Sequence, residues 1–233
     1  MFAGIHDKSD LLLYLSMILA STNKKVLLVD ATLTHKYPLY IGQLDCPLAI
    51  TEFINFDVAC GFTSHMDLER HLQNEGEGID KYDYVIYDIE MESFCSVNIW
   101  LGADARIWTM EYGVWSMHRG AEWMNDWIHQ HPELKGLPFQ LIYLRTVDCL
   151  LDRSFMDSSM DKWPVTWVNE SVIIPWDELD VALKIENEYL RQLRLKPLSR
   201  RYKRVLCTLV EQLTQIEHRQ IKRALHKAER RKA

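Results

Sequence analysis

Five residues in the first ninety are of types that could handle a phosphorylated ligand. Lys8 and Ser9 open an apolar helical segment shortly after Gly4, and Asp30 and Asp88 close the apolar runs Val26-Leu-Leu-Val-Asp30 and Tyr84-Val-Ile-Tyr-Asp88. A short strand, a turn with glycine and then Lys-Ser at a helix start resemble a phosphate-binding loop. In such a loop backbone N–H groups close around the phosphates, the ammonium meets the terminal phosphate and the hydroxyl ligates Mg2+. Here the turn reads Ala3-Gly4-Ile5-His6-Asp7-Lys8-Ser9, so Asp7 stands where a glycine ordinarily precedes the lysine. Its carboxylate would face the negative charge of a polyphosphate. At a separation of about 4 Å and an effective dielectric of about 20 that repulsion is roughly 4 kcal/mol, or about three decades in affinity if nothing neutralises it. Glu90 and Glu92, just after Asp88, would add to it in the absence of a metal.

The elements that must position these residues follow from apolar patterning. Runs at 26–30, 84–88, 105–109, 139–144 and 171–174 are near-continuously apolar, as strands covered on both faces are. Between them, segments at about 10–22, 66–74, 113–130, 178–194 and 199–228 carry helical spacing or helix-forming composition. This alternation predicts a wound α/β fold, a mostly parallel sheet with helices on both faces. The helix after Lys8 is apolar all round and belongs in the middle of the structure. Met1 to Ile5 is the only material for a first strand, which is unusually short. Ligands of open α/β sheets bind beyond the carboxyl ends of strands, where Asp30 and Asp88 both lie. The bland alternative is that Lys8 and Ser9 merely begin a helix and the two aspartates are turn formers.

Further stretches extend the resemblance to a family. Lys24-Lys-Val-Leu-Leu-Val-Asp30 resembles the second strand of the MinD/ParA family of deviant-Walker ATPases, with Asp30 at its acidic position. Tyr82-Asp-Tyr-Val-Ile-Tyr-Asp88 resembles the Walker B strand, Gly102-Ala-Asp104 with Arg106 to Glu111 the next strand, and Ile173-Ile-Pro-Trp-Asp177 the stretch before a closing helix. The resemblance implies a P-loop NTPase-like domain over residues 1–197, followed by a basic helical tail at 198–233. It implies Gly4, Lys8, Ser9, Asp30 and Asp88 as the nucleotide-binding set if ATP is bound, with Ser9 and Asp88 reaching Mg2+. The extra lysine of the deviant loop is matched by Ala3, and the glycine expected after the Walker B aspartate is absent from Ile89-Glu-Met-Glu-Ser93. These departures predict no catalytic residue and no bound cofactor.

Composition excludes several classes. The chain has 233 residues, 48 % of them apolar, which excludes wholesale disorder. No apolar run approaches the roughly 18 residues of a membrane span, and no basic stretch precedes an apolar one at the start, so the expected location is cytoplasmic. Cys46, Cys60, Cys95, Cys149 and Cys207 are odd in number and never two residues apart, which predicts reduced, mostly buried thiols. His129 and His131 flank the end of a helix with no nearby cysteine and read as solvated. No Gly-x-Ser-x-Gly elbow supports a hydrolase.

Two surfaces could meet partners. On the helix 113–130 the stripe Val114, Met117, Ala121, Met124 and Ile128 should face the sheet, leaving Trp115 and Trp123 outside it and Trp127 at its border. These rings are candidate anchors for a protein partner or a homodimer, the alternative being cover from the same chain. Residues 200–233 hold 11 Lys or Arg against Glu211, Glu217 and Glu229, a net +8 that leaves −14 for residues 1–199. Arg219, Lys222, Arg223, Lys227, Arg230 and Arg231 could meet nucleic acid or an acidic protein, whereas the segment lacks the bulky apolar groups of a membrane anchor. The expectation is a non-hydrolysing positioning or scaffold protein serving plasmid partition, division, a pilus or a secretion apparatus. The alternatives are an Mg-ATP-dependent dimerising ATPase switch and a nucleic-acid binder acting through the tail.

Overall fold

A computed structural model of the chain describes residues 1–43 and 48–231. Cys46 lies outside the described residues. Of the other thiols Cys60, Cys95 and Cys207 are buried, but Cys149 is exposed. The apolar runs form β1 (Phe2–Ala3), β2 (Val26–Ala31), β5 (Tyr84–Ile89), β6 (Ile107–Glu111), β7 (Pro138–Thr146) and β9 (Val172–Pro175). Three strands without a strong local signal join them: β3 (Ile50–Phe53), β4 (Phe56–Ala59) and β8 (Thr166–Trp167). The order is β3-β4-β2-β5-β1-β6-β7-β8, with β9 also beside β7, and among the described residues only the β3/β4 hairpin is antiparallel. The fold is thus the wound, mostly parallel α/β sheet expected.

Two residues suffice for β1 because both its sides are paired. Phe2 is in register with Asp88 and Ile107, and Ala3 with Ile89 and Trp108. Gly4 then turns away at φ 144°, and a Cβ there would lie 2.2 Å from the Thr109 carbonyl oxygen, so only glycine lets the turn leave this close to β6.

Each sheet face has its own core. On one, α1 (Ser9–Ala20) buries 11 of its 12 residues, under α8 (Arg200–Leu213) and α9 (His218–Arg230). At roughly 1.5–3 kcal/mol per large apolar side chain, this burial fixes α1 as the least movable helix near the turn. The expected single helix over 199–228 is broken at 214–217. The Thr214 hydroxyl donates to the Val210 carbonyl and accepts from the Ile216 N–H, replacing helical bonds locally. The opposite face carries α3 (His65–Asn74), α4 (Val97–Gly102), α5 (Val114–Gln130) and α6 (Arg153–Met160) over a core rich in aromatic rings. The short α2 (Tyr37–Ile41) and α7 (Glu178–Leu190) complete the helices the candidate site uses.

The phase of α5 differs from the expectation. Its buried face is Ser116, Gly120, Met124, Trp127 and Ile128, whereas Val114 is 85 % exposed. Gly120 sets this phase: it lets the Trp163 and Trp108 rings come within 2.8 and 3.2 Å of where a Cβ would stand. Trp127, placed at the border of an interface from sequence, is a core residue instead, its ring 4.6 Å from that of Trp100. Trp123 is half-buried, donates to the Glu90 carbonyl at 3.1 Å and packs on Trp108, so the same chain covers it. Trp115 alone of the three stays open, 63 % exposed beside His6. Replacing Trp127 with alanine should therefore cost about 3–5 kcal/mol in urea denaturation, whereas Trp115→Ala should stay within about 0.5 kcal/mol of the parent.

Candidate functional site

The sequence-selected residues converge where β1, β2 and β5 end. Parallel pairing sets Asp30 directly beside Asp88, on the sheet face that α1 covers. Two adjacent buried carboxylates need compensation, and each receives its own. Lys8, fully buried at the head of α1, places its Nζ 2.6 Å from Asp88 Oδ1 and donates to the Gly4 carbonyl at 3.0 Å. The Tyr37 hydroxyl donates to Asp88 Oδ2 at 2.8 Å. Asp30 accepts from the Thr32 N–H at 3.1 Å, the Thr32 hydroxyl at 2.6 Å and the Tyr37 N–H at 3.3 Å. Burial nevertheless pushes its carboxyl above the usual range, against those hydrogen bonds. Asp30 thus shapes the 32–37 turn, and its oxygens are spent there.

Asp7 is the pivot of the loop. Its Oδ1 accepts from the Ser9 N–H at 3.1 Å and the Ser9 hydroxyl at 2.8 Å, and lies 2.9 Å from Lys36 Nζ. Its Oδ2 accepts from Lys184 Nζ on α7. Arg145 adds a bond to the Asp7 carbonyl at 2.7 Å while its Nε donates to Glu111 at 2.6 Å. Burial opposes charge on Asp7, but Lys184 and Lys36 overcome it and hold the carboxyl far below the usual range. Lys36 is likewise raised: burial opposes its charge, and Asp88, Asp7 and Glu90 outweigh that. Glu90, expected to repel a phosphate, is neutralised by Lys36 at 2.9 Å and accepts from the Leu33 N–H at 3.1 Å.

These partners decide what the site can hold. A triphosphate would require the Lys8 ammonium, and a magnesium ion the Ser9 hydroxyl and an Asp88 oxygen. The first is buried against Asp88, the second is donated to Asp7, and Asp88 is shared between Lys8 and Tyr37. In this structure each of these groups is engaged by another residue of the same chain. Beside them Asp7, Asp10, Arg145, Trp176, Lys184 and Tyr202 help line a cavity of about 160 Å3, smaller than the roughly 300–1,000 Å3 of ordinary ligand clefts. A larger cavity of about 470 Å3, lined by Arg153, Asp157, Met160 and Trp167 among others, lies at the β7–β8 edge and includes no residue of the 4–9 turn. Among the described residues no group of three or more His, Cys, Asp or Glu could hold a metal ion.

Sequence reasoning did not find Lys36, Tyr37, Arg145 or Lys184. Lys184 meets Asp7 across 177 positions, and Lys36 meets Glu90 across 54. No local spacing announces such pairs. On the far side, Arg219, Lys222, Arg223, Arg230 and Arg231 are exposed on or just after α9, while Lys227 donates to the Ser21 carbonyl at 3.2 Å and Asn23 Oδ1 at 2.8 Å. No helix among the described residues is long and apolar enough to cross a membrane.

No protein-family profile and no curated protein sequence matches the chain. Solved structures do. The MinC:MinD cell division protein complex of Aquifex aeolicus aligns with a TM-score of 0.54 at 13 % identity over 97 % of this chain and 94 % of that one. A plasmid partition protein of Borrelia burgdorferi bound to AMPPNP aligns at 0.54 and 16 % identity over 97 % of both chains. A ParA family ATPase of Chlorobium tepidum gives 0.52 and 14 % over 97 % of this chain and 98 % of that one. The fold that the family resemblance implied is therefore present: the chain has a MinD/ParA-like, P-loop NTPase-like fold.

Proposed function

We propose that this chain is a non-hydrolysing positioning protein, a MinD/ParA-like scaffold that binds protein partners, as a homodimer in the cytosol, to organise a cellular machine. The observation that carries the reading is the internal use of the nucleotide set: Lys8 is paired with Asp88, and the Ser9 hydroxyl with Asp7. With these groups occupied, the fold keeps its shape and surfaces without its motor chemistry. Structures of the same fold are described as a division complex and a plasmid partition protein, which supports a role in placing large assemblies. Trp115, exposed beside the loop, is the ring we assign to a partner. Residues 198–233 are the basic module of this reading, carried on α8 and α9.

Two alternatives have an observation each. A neighbour of the same fold carries AMPPNP, which favours an ATPase switch using Gly4, Lys8, Ser9, Asp30 and Asp88. The exposed basic face of α9 favours nucleic-acid binding through 218–233, which requires a salt-sensitive shift of duplex DNA that vanishes when those residues are deleted. No shift at low salt removes that reading.

Titration with a fluorescent ATP analogue separates scaffold from switch. The expected result is no saturable binding with or without Mg2+, and an oligomeric state by light scattering that ATP does not change. Micromolar, Mg2+-dependent binding abolished by Lys8→Ala would overturn the scaffold. Lys8 also makes a structural prediction of its own: Lys8→Met strands the Asp88 carboxylate in the core and should cost about 3–5 kcal/mol in urea denaturation, a loss that Asp88→Leu in the same chain should largely recover.

A further inference from the structure

The disagreement between the loop and its expected ligand has a definite geometry. An oxyanion held at a helix start ordinarily receives backbone N–H groups, a hydroxyl and cationic side chains. At the head of α1 all three kinds of donor are present, and all converge on one internal carboxylate. The Ser9 N–H, the Ser9 hydroxyl and Lys36 meet Asp7 Oδ1, and Lys184 meets Oδ2. The two lysines arrive from separate elements, the turn before α2 and the face of α7. Lys36 is buried, so its charge was removed from water to make this contact. Uncommon backbone supports the arrangement: His35, just before Lys36, has φ 47°, and Arg145, which binds the Asp7 carbonyl, has φ 50°. Left-handed residues of these types persist only where surrounding contacts over-determine them.

We propose that Asp7 is a tethered anion: its carboxylate fills an oxyanion site built by Ser9, Lys36 and Lys184, and thereby bars inorganic phosphate, pyrophosphate and the phosphates of nucleotides. The contact is autoinhibitory in the sense that the chain supplies its own ligand. It also fixes the turn before α2 and α7 to α1 permanently, so these elements do not depend on nucleotide to be held. This deepens the scaffold reading and rests on it in one respect, since both require the native loop to be closed to polyphosphate.

Isothermal titration with inorganic pyrophosphate at low salt tests the proposal on the full chain and on Asp7→Gly and Asp7→Ala, neither of which asks a residue to adopt left-handed backbone at position 7. The expected result is no saturable heat for the parent and binding at least about tenfold tighter than any residual parent signal for the variants. Adding Lys36→Ala to either variant should remove that binding. If the variants are unfolded alone, millimolar pyrophosphate should restore their near-ultraviolet circular dichroism, because the free anion takes the place of the missing carboxylate. Folded variants that do not bind, or unfolded ones that pyrophosphate does not restore, overturn the tethered anion while leaving the scaffold reading intact. Pyrophosphate binding by the parent overturns both.

Discussion

The ion pair between Lys8 and Asp88 is the constraint around which the rest of this molecule is arranged. Both side chains have no exposure, and their atoms approach to 2.6 Å. A lone charge at that depth is prohibitively unfavourable, and even a pair is retained only when the remaining polar atoms find partners. Around this pair the ammonium also donates to the Gly4 carbonyl, and the Tyr37 hydroxyl donates to the second carboxylate oxygen. That requirement explains why Gly4 must turn tightly against β6, why Tyr37 is wholly buried and why the 32–37 turn is organised by Asp30. A lysine placed in this way is packed as part of the core.

The outer layer of charge follows from the inner one. With Lys8 neutralised by Asp88, the donors at the head of α1 still need an anion, because its first N–H groups have no partner within the helix. Asp7 supplies it, and Asp7 in turn would be unpaired without Lys36 and Lys184. Lys36 then requires Glu90 to balance the cationic side of the turn. Each charge is explained by the one beneath it, from the sheet edge outward to α7. Asp7 and Glu90, two of the three carboxylates that look repulsive in sequence, are therefore members of an alternating network, each within hydrogen-bonding distance of a lysine.

What could be read in the sequence was what local chemistry encodes. Parallel strands covered on both faces show themselves as apolar runs, so β2, β5, β6, β7 and β9 and the central α1 were legible, as was the convergence of Lys8 with Asp88 through the family resemblance. The β3/β4 hairpin was not, because Thr51, Glu52 and Asp57 interrupt its apolar character. The phase of α5 was missed because Gly120, which carries no apolar signal, sets the closest approach, turning Trp127 inward. The break before α9 depends on a single threonine side chain competing with the helix. Lys36 and Lys184 were invisible because pairs across such separations exist only once the sheet order is known.

An acidic residue in a phosphate loop can mean simple decay or a new use of the same donors, and the two differ in what surrounds it. Decay leaves an isolated carboxylate exposed to solvent or repelled by its neighbours. At Asp7 the carboxylate is met by a backbone N–H, a hydroxyl and two ammonium groups, and the Arg145 guanidinium binds its carbonyl. Five donors from four separate segments would not be gathered at a position that had only lost something. Burying the ammonium of Lys36 is itself unfavourable, so the arrangement is stable only because the carboxylates are there to meet it. On the tethered-anion proposal the ligand of this loop is covalently part of the chain, and the contact joins α1 to α7 and to the turn before α2.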